Sequence, residues 1–237
     1  MRKFNRKKDQ IRDIVIDPDV NQNADGSCII RIGNTHVICT ASYESDVPLW
    51  LKHKNSGWLT AEYGMLPGST STRNKREAAK GKQSGRTVEI QRLIGRSLRT
   101  IINLKKLNGG QFILDCDVLQ ADGGTRTASI SGGFVALSLA VKKLLNKKVL
   151  TENPIKDSIS GISCGILGDE VYVDLDYSED SIADVDANII LTKNSGISEV
   201  QASGERSTFN FNQLSQMIKM SESAAKLIFE IQEKAIR

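Results

Sequence analysis

The stretch "LQADGGTRTASISGGFVAL", residues 119–137, decides how the chain is read. An apolar strand-like run ends at Gln120, two glycines follow, and Thr125, Arg126 and Thr127 then open an apolar helix-like run. Glycine lets backbone N–H groups turn toward a ligand, and the first turn of a helix leaves N–H donors unpaired with partial positive charge. Arg126 adds a planar fork matched to phosphate oxygens. An anion site at Gly124, Thr125 and Arg126 is one reading; a tight turn with a threonine N-cap and a surface arginine is the other. No Gly-Lys-Ser/Thr follows at the distance a P-loop needs.

Working outward, "FILDCDVLQ" (112–120) predicts a strand and "TASISGGFVALSLAVKKLL" (127–145) a mostly buried helix, with Gly132-Gly133 allowing close packing. "TVEIQRLIGRSLRTIINL" (87–104) places Ile90, Leu93, Ile94, Leu98, Ile101 and Ile102 on one helical stripe, with Thr87 as N-cap. Three hairpins follow from alternating apolar runs around turn residues. They are 27–42 turning at Gly33-Asn34, 160–177 at Gly168-Asp169, and 187–203 at Asn194–Gly196. Residues 211–236 form a long amphipathic helix. Residues 50–86 lose periodicity and read as a long polar loop. Hairpins outnumber parallel crossovers, so the class is α+β with mixed or antiparallel sheets. With no linker in sight, residues 1–237 read as a single domain.

Composition narrows the function. Of 237 residues 39% are hydrophobic and 25% charged, which describes a soluble globular chain. The net charge of +4 permits an anionic partner without demanding one, so placement matters more than the total. Cys28, Cys39, Cys116 and Cys164 lie apart in apolar runs and read as buried thiols of a reducing compartment. The basic amino end "MRKFNRKKDQ" lacks the apolar stretch of a signal peptide, and no run reads as a membrane span. These features predict a cytoplasmic protein without a membrane partner.

A second turn, "GKQSGRTVEI" (81–90), repeats the recipe of small residues, an arginine (Arg86) and a helix start. Two such mouths suit one phosphate if they converge, and each also suits an ordinary cap. Between Ser69 and Lys106 eleven Lys or Arg stand against Glu77 and Glu89. Arg92, Arg96 and Arg99 fit a solvated helix face, whereas the loop from Arg73 to Lys82, with Arg76, fits a mobile arm for a polyanionic backbone. The acidic counterpart is "VDLDYSEDSIADVDANI" (173–189), with Asp174 and Asp176 alternating along a strand and Glu179, Asp180, Asp184 and Asp186 after them. So dense a carboxylate group is a Mg²⁺ candidate, or else an acid-rich connection; its spacing is not that of an EF-hand. Phosphate, metal and polyanion together point to chemistry at a phosphodiester. His36 and His53 form no triad or zinc pattern, and no G-x-G-x-x-G links a strand to a helix.

Four stretches, "GWLTAEYGMLP" (57–67), "REAAKGKQSGRTVEIQRLIGRSLR" (76–99), "LDCDVLQADGGTRTASISG" (114–132) and 173–189, in that order, resemble the ribonuclease PH family nearly end to end. The resemblance implies a ribonuclease PH domain, a ribosomal-protein-like β-α-β fold with mixed or antiparallel sheets packed on helices. It implies a phosphorolytic 3′-exoribonuclease that trims 3′ extensions of tRNA precursors, releasing nucleoside diphosphates reversibly. By the same likeness Arg86, Gly124, Thr125 and Arg126 hold inorganic phosphate, and Asp180 and Asp186 hold Mg²⁺ or assist proton transfer. The basic arm is expected to bind RNA through Arg73 and Arg76, and the resemblance implies a homo-hexamer, a trimer of dimers. The family often reads LPR-x-THTR where this chain has "LPGSTSTR", placing Gly68 and Ser71 at an arginine and a histidine. The rival is a non-catalytic, exosome-type RNA-binding ring subunit; Arg86, the GTRT turn and both aspartates favour the enzyme.

Overall fold

The computed structural model describes residues 2, 5–54 and 56–237. Residues 1, 3 and 4 of the basic amino end, and 55 in the long polar stretch, lie outside the described residues.

Alternation builds the first sheet. In β2 (Gly26–Ile32), β3 (Thr35–Glu44) and β5 (Gln111–Gln120) every second side chain is buried, Phe112, Leu114, Cys116 and Val118 among them. The predicted hairpin forms around Gly33, and β3 pairs antiparallel with β5. Two strands were not foreseen. β1 (Ile14–Pro18) pairs antiparallel with β2, and β4 (Trp58–Met65) lies inside the stretch read as loop. β4 pairs parallel with β5, so β4, helix α1 (Gly85–Thr100) and β5 make a βαβ unit at one edge of the order β1-β2-β3-β5-β4. The second sheet is antiparallel throughout, in the order β7 (Glu170–Val173), β6 (Ile159–Leu167), β8 (Val185–Thr192), β9 (Gly196–Gly204). The other two predicted hairpins are therefore present.

Helix α2 (Thr125–Asn146) joins the two sheets, packing on β2, β3 and β5 and also on β6. It is long and apolar enough to cross a membrane, which corrects the expectation that no run is; here both sheets bury it. Gly132 shows how close the helix lies to the sheet. A Cβ there would stand 2.7 Å from Ile30 Cγ2 and 2.8 Å from Cys39 Sγ. The short α3 (Tyr177–Asp180) follows β7, and α4 (Phe211–Ile236) packs over β6, β7 and β1. All four cysteines are buried free thiols. The architecture is the expected α+β.

Candidate active site

Both arginine turns sit at helix starts, but neither is capped as the sequence implies. For α1 the N-cap is Ser84, whose side chain accepts from Thr87 N at 3.2 Å; Thr87 lies within the first turn and donates its hydroxyl to Glu77 at 2.8 Å. For α2 the N-cap is Gly124, left-handed at φ +67°, with no side chain closing the helix mouth. The expected threonine cap is thus absent, and the first N–H groups of α2 have no capping side chain. Gly123 is left-handed too, at φ +79°, so two consecutive positions demand glycine.

Tyr63 flanks this mouth through the Thr125 side chain. It occupies the inward register of β4, opposite Cys116 of β5, on the sheet face that carries α2. Its buried hydroxyl lies 2.9 Å from Thr125 Oγ1. Burial pushes the phenol upward, opposed by that hydrogen bond and by Arg86 and Arg126.

The second sheet supplies the acids. Asp186 lies on β8 and Asn188 follows two residues on, on the same face. Asp180 ends α3. One cavity of about 410 Å³ is bordered by Arg86, Gly123, Gly124, Thr125, Arg126, Ser163, Asp180, Asp186 and Asn188. The two arginine turns and the two aspartates therefore meet. Burial raises the Asp186 carboxyl, with Asp180 raising it further against the pull of Arg126 and Arg86, and it stands at about 6. Asp180 is raised by burial too, against the pull of Arg86 and Arg126. Both guanidiniums thus act on both carboxylates. Arg126 also meets Glu89 of α1 at 3.3 Å, which joins the two helix mouths.

The rest of the acidic run does other work. Asp174 is not in a strand: β7 stops at Val173 and Asp174 takes φ +52°, its carboxylate buried against Arg12 and Arg6. Asp176 caps α3 in a capping box with Glu179, which pairs with Arg2. Asp184 accepts from Gly168 N at the β6–β7 turn. Among the described residues no three His, Cys, Asp or Glu side chains gather closely enough to hold a metal ion. Asp180, Asp186 and Asn188 border one cavity and offer hard oxygen donors of the kind Mg²⁺ takes.

The basic loop divides. Arg76 borders a cleft of about 730 Å³ together with Lys75, Lys80, Lys82 and Arg86, so the cleft adjoins the acid–arginine cavity at Arg86. Arg73 is exposed and borders neither. Of the three helix-face arginines, Arg92 is exposed and Arg96 pairs with Glu199. Arg99, half-buried, stacks 4.7 Å over Trp58. Sequence reasoning missed Tyr63, Asn188 and Ser163, whose buried hydroxyl has no hydrogen-bond partner among the described residues. The Asp186-x-Asn188 alternation was a usable signal for one of them.

Residues 10–143 match the model of the 3′ exoribonuclease family, domain 1, and residues 157–224 match domain 2 of the same family. The chain is 50% identical over 236 residues to ribonuclease PH of Cereibacter sphaeroides (strain KD131), covering all of both chains. It is 49% identical over 234 residues to ribonuclease PH of Neisseria meningitidis (strain FAM18), covering 99% of this chain and 97% of that one. Among solved structures it resembles rice (Oryza sativa) Rrp46 with a TM-score of 0.81 at 16% identity over the whole of both chains. It also resembles a chain of the Archaeoglobus fulgidus exosome with RNA bound to the active site, with a TM-score of 0.80 at 22% identity, covering 95% of this chain and 90% of that one. These two likenesses show the fold.

Proposed function

This chain belongs to the 3′ exoribonuclease family, and we propose that its two arginine turns hold the orthophosphate that its reaction consumes. The activity itself is that of a phosphorolytic 3′-exoribonuclease, a phosphate-dependent nucleotidyltransferase acting on RNA. The observation that carries the site reading is the single cavity bordered by Arg86, Gly124, Thr125, Arg126, Asp180 and Asp186.

In this reading Arg86 and Arg126 grip the phosphate oxygens, and the uncapped N–H groups of α2 complete the cradle. One phosphate oxygen attacks the terminal phosphodiester of the RNA 3′ end. The new P–O–P bond leaves with a nucleoside 5′-diphosphate, and the old bond breaks to the 3′ oxygen of an RNA one nucleotide shorter. Because the product keeps a phosphoanhydride, the reaction runs backward when diphosphates are abundant. With no cation on it, Asp186, its carboxyl raised to about 6 by burial and by Asp180, is matched to passing a proton to the departing 3′ oxygen near neutral pH. Asp180 and Asp186 are the residues that would hold Mg²⁺, which supplies charge neutralisation at the transferring phosphoryl group when bound.

The substrates we assign are 3′-extended tRNA precursors, and the assembly a homo-hexamer, both on the family resemblance. One continuous ribonuclease PH domain over 1–237 is supported by α2, which both sheets bury. Four free buried thiols support a cytoplasmic setting. With phosphate supplied, a 3′-extended tRNA should shorten and release nucleoside diphosphates. Equal shortening without phosphate would refute the reading.

The basic cleft should grip backbone rather than bases. Arg76→Ala is expected to reduce the slope of log K against log salt for RNA binding by about 1, and Arg73→Ala by less. A filter-binding series across salt concentrations checks it; equal slopes in Arg76→Ala and the unmutated protein would remove the cleft from the RNA path.

A further inference from the structure

Residue 12 lies far in sequence from the arginines and aspartates of the cavity and hydrogen-bonds to none of them, yet its side chain runs behind both halves of the site. Arg12 is buried, with 2% of its side chain exposed. Its Nε donates to Asp174 Oδ2 at 2.9 Å and its Nη2 to Asp174 Oδ1 at 2.7 Å, a two-point grip. The rest of the fork goes to backbone: Nη1 donates to the carbonyl of Asp122 at 2.5 Å and Nη2 to that of Gly123 at 3.4 Å. Thr35 shares the work, donating its hydroxyl to the Gly123 carbonyl at 2.6 Å and accepting from Asp122 N at 3.0 Å.

These two carbonyls belong to the peptides whose N–H groups are those of Gly123 and Gly124, both bordering the cavity. In a trans peptide C=O and N–H point opposite ways, so holding the carbonyls on the Arg12 side sets those N–H groups away from it. Arg12's other partner, Asp174, keeps a left-handed backbone at φ +52°, costly for a non-glycine residue. That conformation persists with four donors on its carboxylate: Arg12 N at 2.6 Å, Arg12 Nε, Arg12 Nη2 and Arg6 Nη1 at 3.2 Å. From Asp174 the chain runs directly into α3 and Asp180. The two segments also touch: a Cβ on Gly123 would meet Leu175 O at 2.4 Å and the Asp176 carbonyl carbon at 2.8 Å.

We propose that Arg12, with Thr35 beside it, is a positioning residue that fixes the Asp122–Gly124 turn for phosphate and locks it to the segment carrying Asp180. The proposal rests on reading that turn as the phosphate cradle. It takes no part in the chemistry of bond exchange; it sets where the nucleophile and the acid stand relative to each other.

Arg12→Lys keeps a positive charge for Asp174 but cannot reach the acid and both carbonyls at once. Thr35→Val removes only the hydroxyl, and Thr35→Ser keeps it. Each is assayed for KM of inorganic phosphate, kcat on a 3′-extended RNA, RNA affinity and thermal unfolding. Arg12→Lys and Thr35→Val should each raise the phosphate KM by roughly tenfold or more at unchanged RNA affinity, and Thr35→Ser should restore it. A fall in melting temperature with phosphate KM still within about twofold of the unmutated protein in both variants would overturn the proposal. If Arg12→Lys does not fold, the Thr35 pair decides on the same criterion. Arg126→Ala runs in parallel: an unmoved phosphate KM there defeats the cradle itself, whereas a raised KM in Arg126→Ala alone defeats only the brace.

Discussion

Arg126→Ala is expected to raise the KM for inorganic phosphate by on the order of 10²-fold and to lower kcat/KM by at least as much, while RNA still binds. The side chain is one of two guanidiniums bordering the cavity, and its fork is the only part of the GTRT turn that carries full charge. Removing it also leaves Glu89 of α1 without its 3.3 Å partner at the mouth of the cradle, so a negative charge is left facing the incoming anion. Arg126→Lys should recover only part of the loss, because an ammonium cannot bind two phosphate oxygens in one plane. Steady-state kinetics with phosphate as the varied substrate checks this. A variant whose phosphate KM is unchanged would place the nucleophile elsewhere.

Asp186→Asn should show opposite effects on activity and stability. Turnover is expected to fall by on the order of 10²–10³-fold, since amide nitrogen neither holds a divalent cation as carboxylate does nor passes a proton. Stability should rise. Burial and the neighbouring Asp180 put the Asp186 carboxyl at about 6 in the folded chain, above its ordinary value of 3.8. Between those two values the folded state binds more protons than the unfolded one, so this group's contribution to stability is lost as pH rises. Asparagine does not titrate. In metal-free protein the melting temperature of Asp186→Asn should therefore gain on that of the unmutated chain from about pH 4 to about pH 6. The gap should then level off, having widened by roughly 6–12 °C. A gap that is constant across that range would show that the buried carboxylate carries no such strain.

How much of this was legible in the sequence depends on the distance between the residues that matter. The helix mouths were readable because each is local: glycines, an arginine and an apolar stripe within about a dozen positions. The hairpins were readable for the same reason, and all three turn where the sequence places them. β4 was not, because "WLTAEYGM" has only Leu59, Ala61 and Tyr63 as its buried alternation, and its parallel partner β5 lies beyond α1. β1 was missed because five residues ending in Asp17-Pro18 carry little strand signal. The N-cap of α1 went to Ser84 rather than Thr87 because the glycine and arginine between them are already helical. The acidic run was read as one group, whereas a single left-handed residue, Asp174, turns half of it inward to the buried arginines. Nothing within 173–189 announces Arg12, since the ion pair spans 162 positions.

One oxyanion is expected between the two arginine turns, across from the two aspartates. Crystals soaked in tungstate, a heavy tetrahedral oxyanion, test it most directly through anomalous scattering. A peak is expected within hydrogen-bonding reach of both Arg86 and Arg126 and of the Thr125 backbone, abolished by millimolar phosphate. A phosphate-displaceable peak elsewhere, with the cavity between those arginines empty, would contradict it.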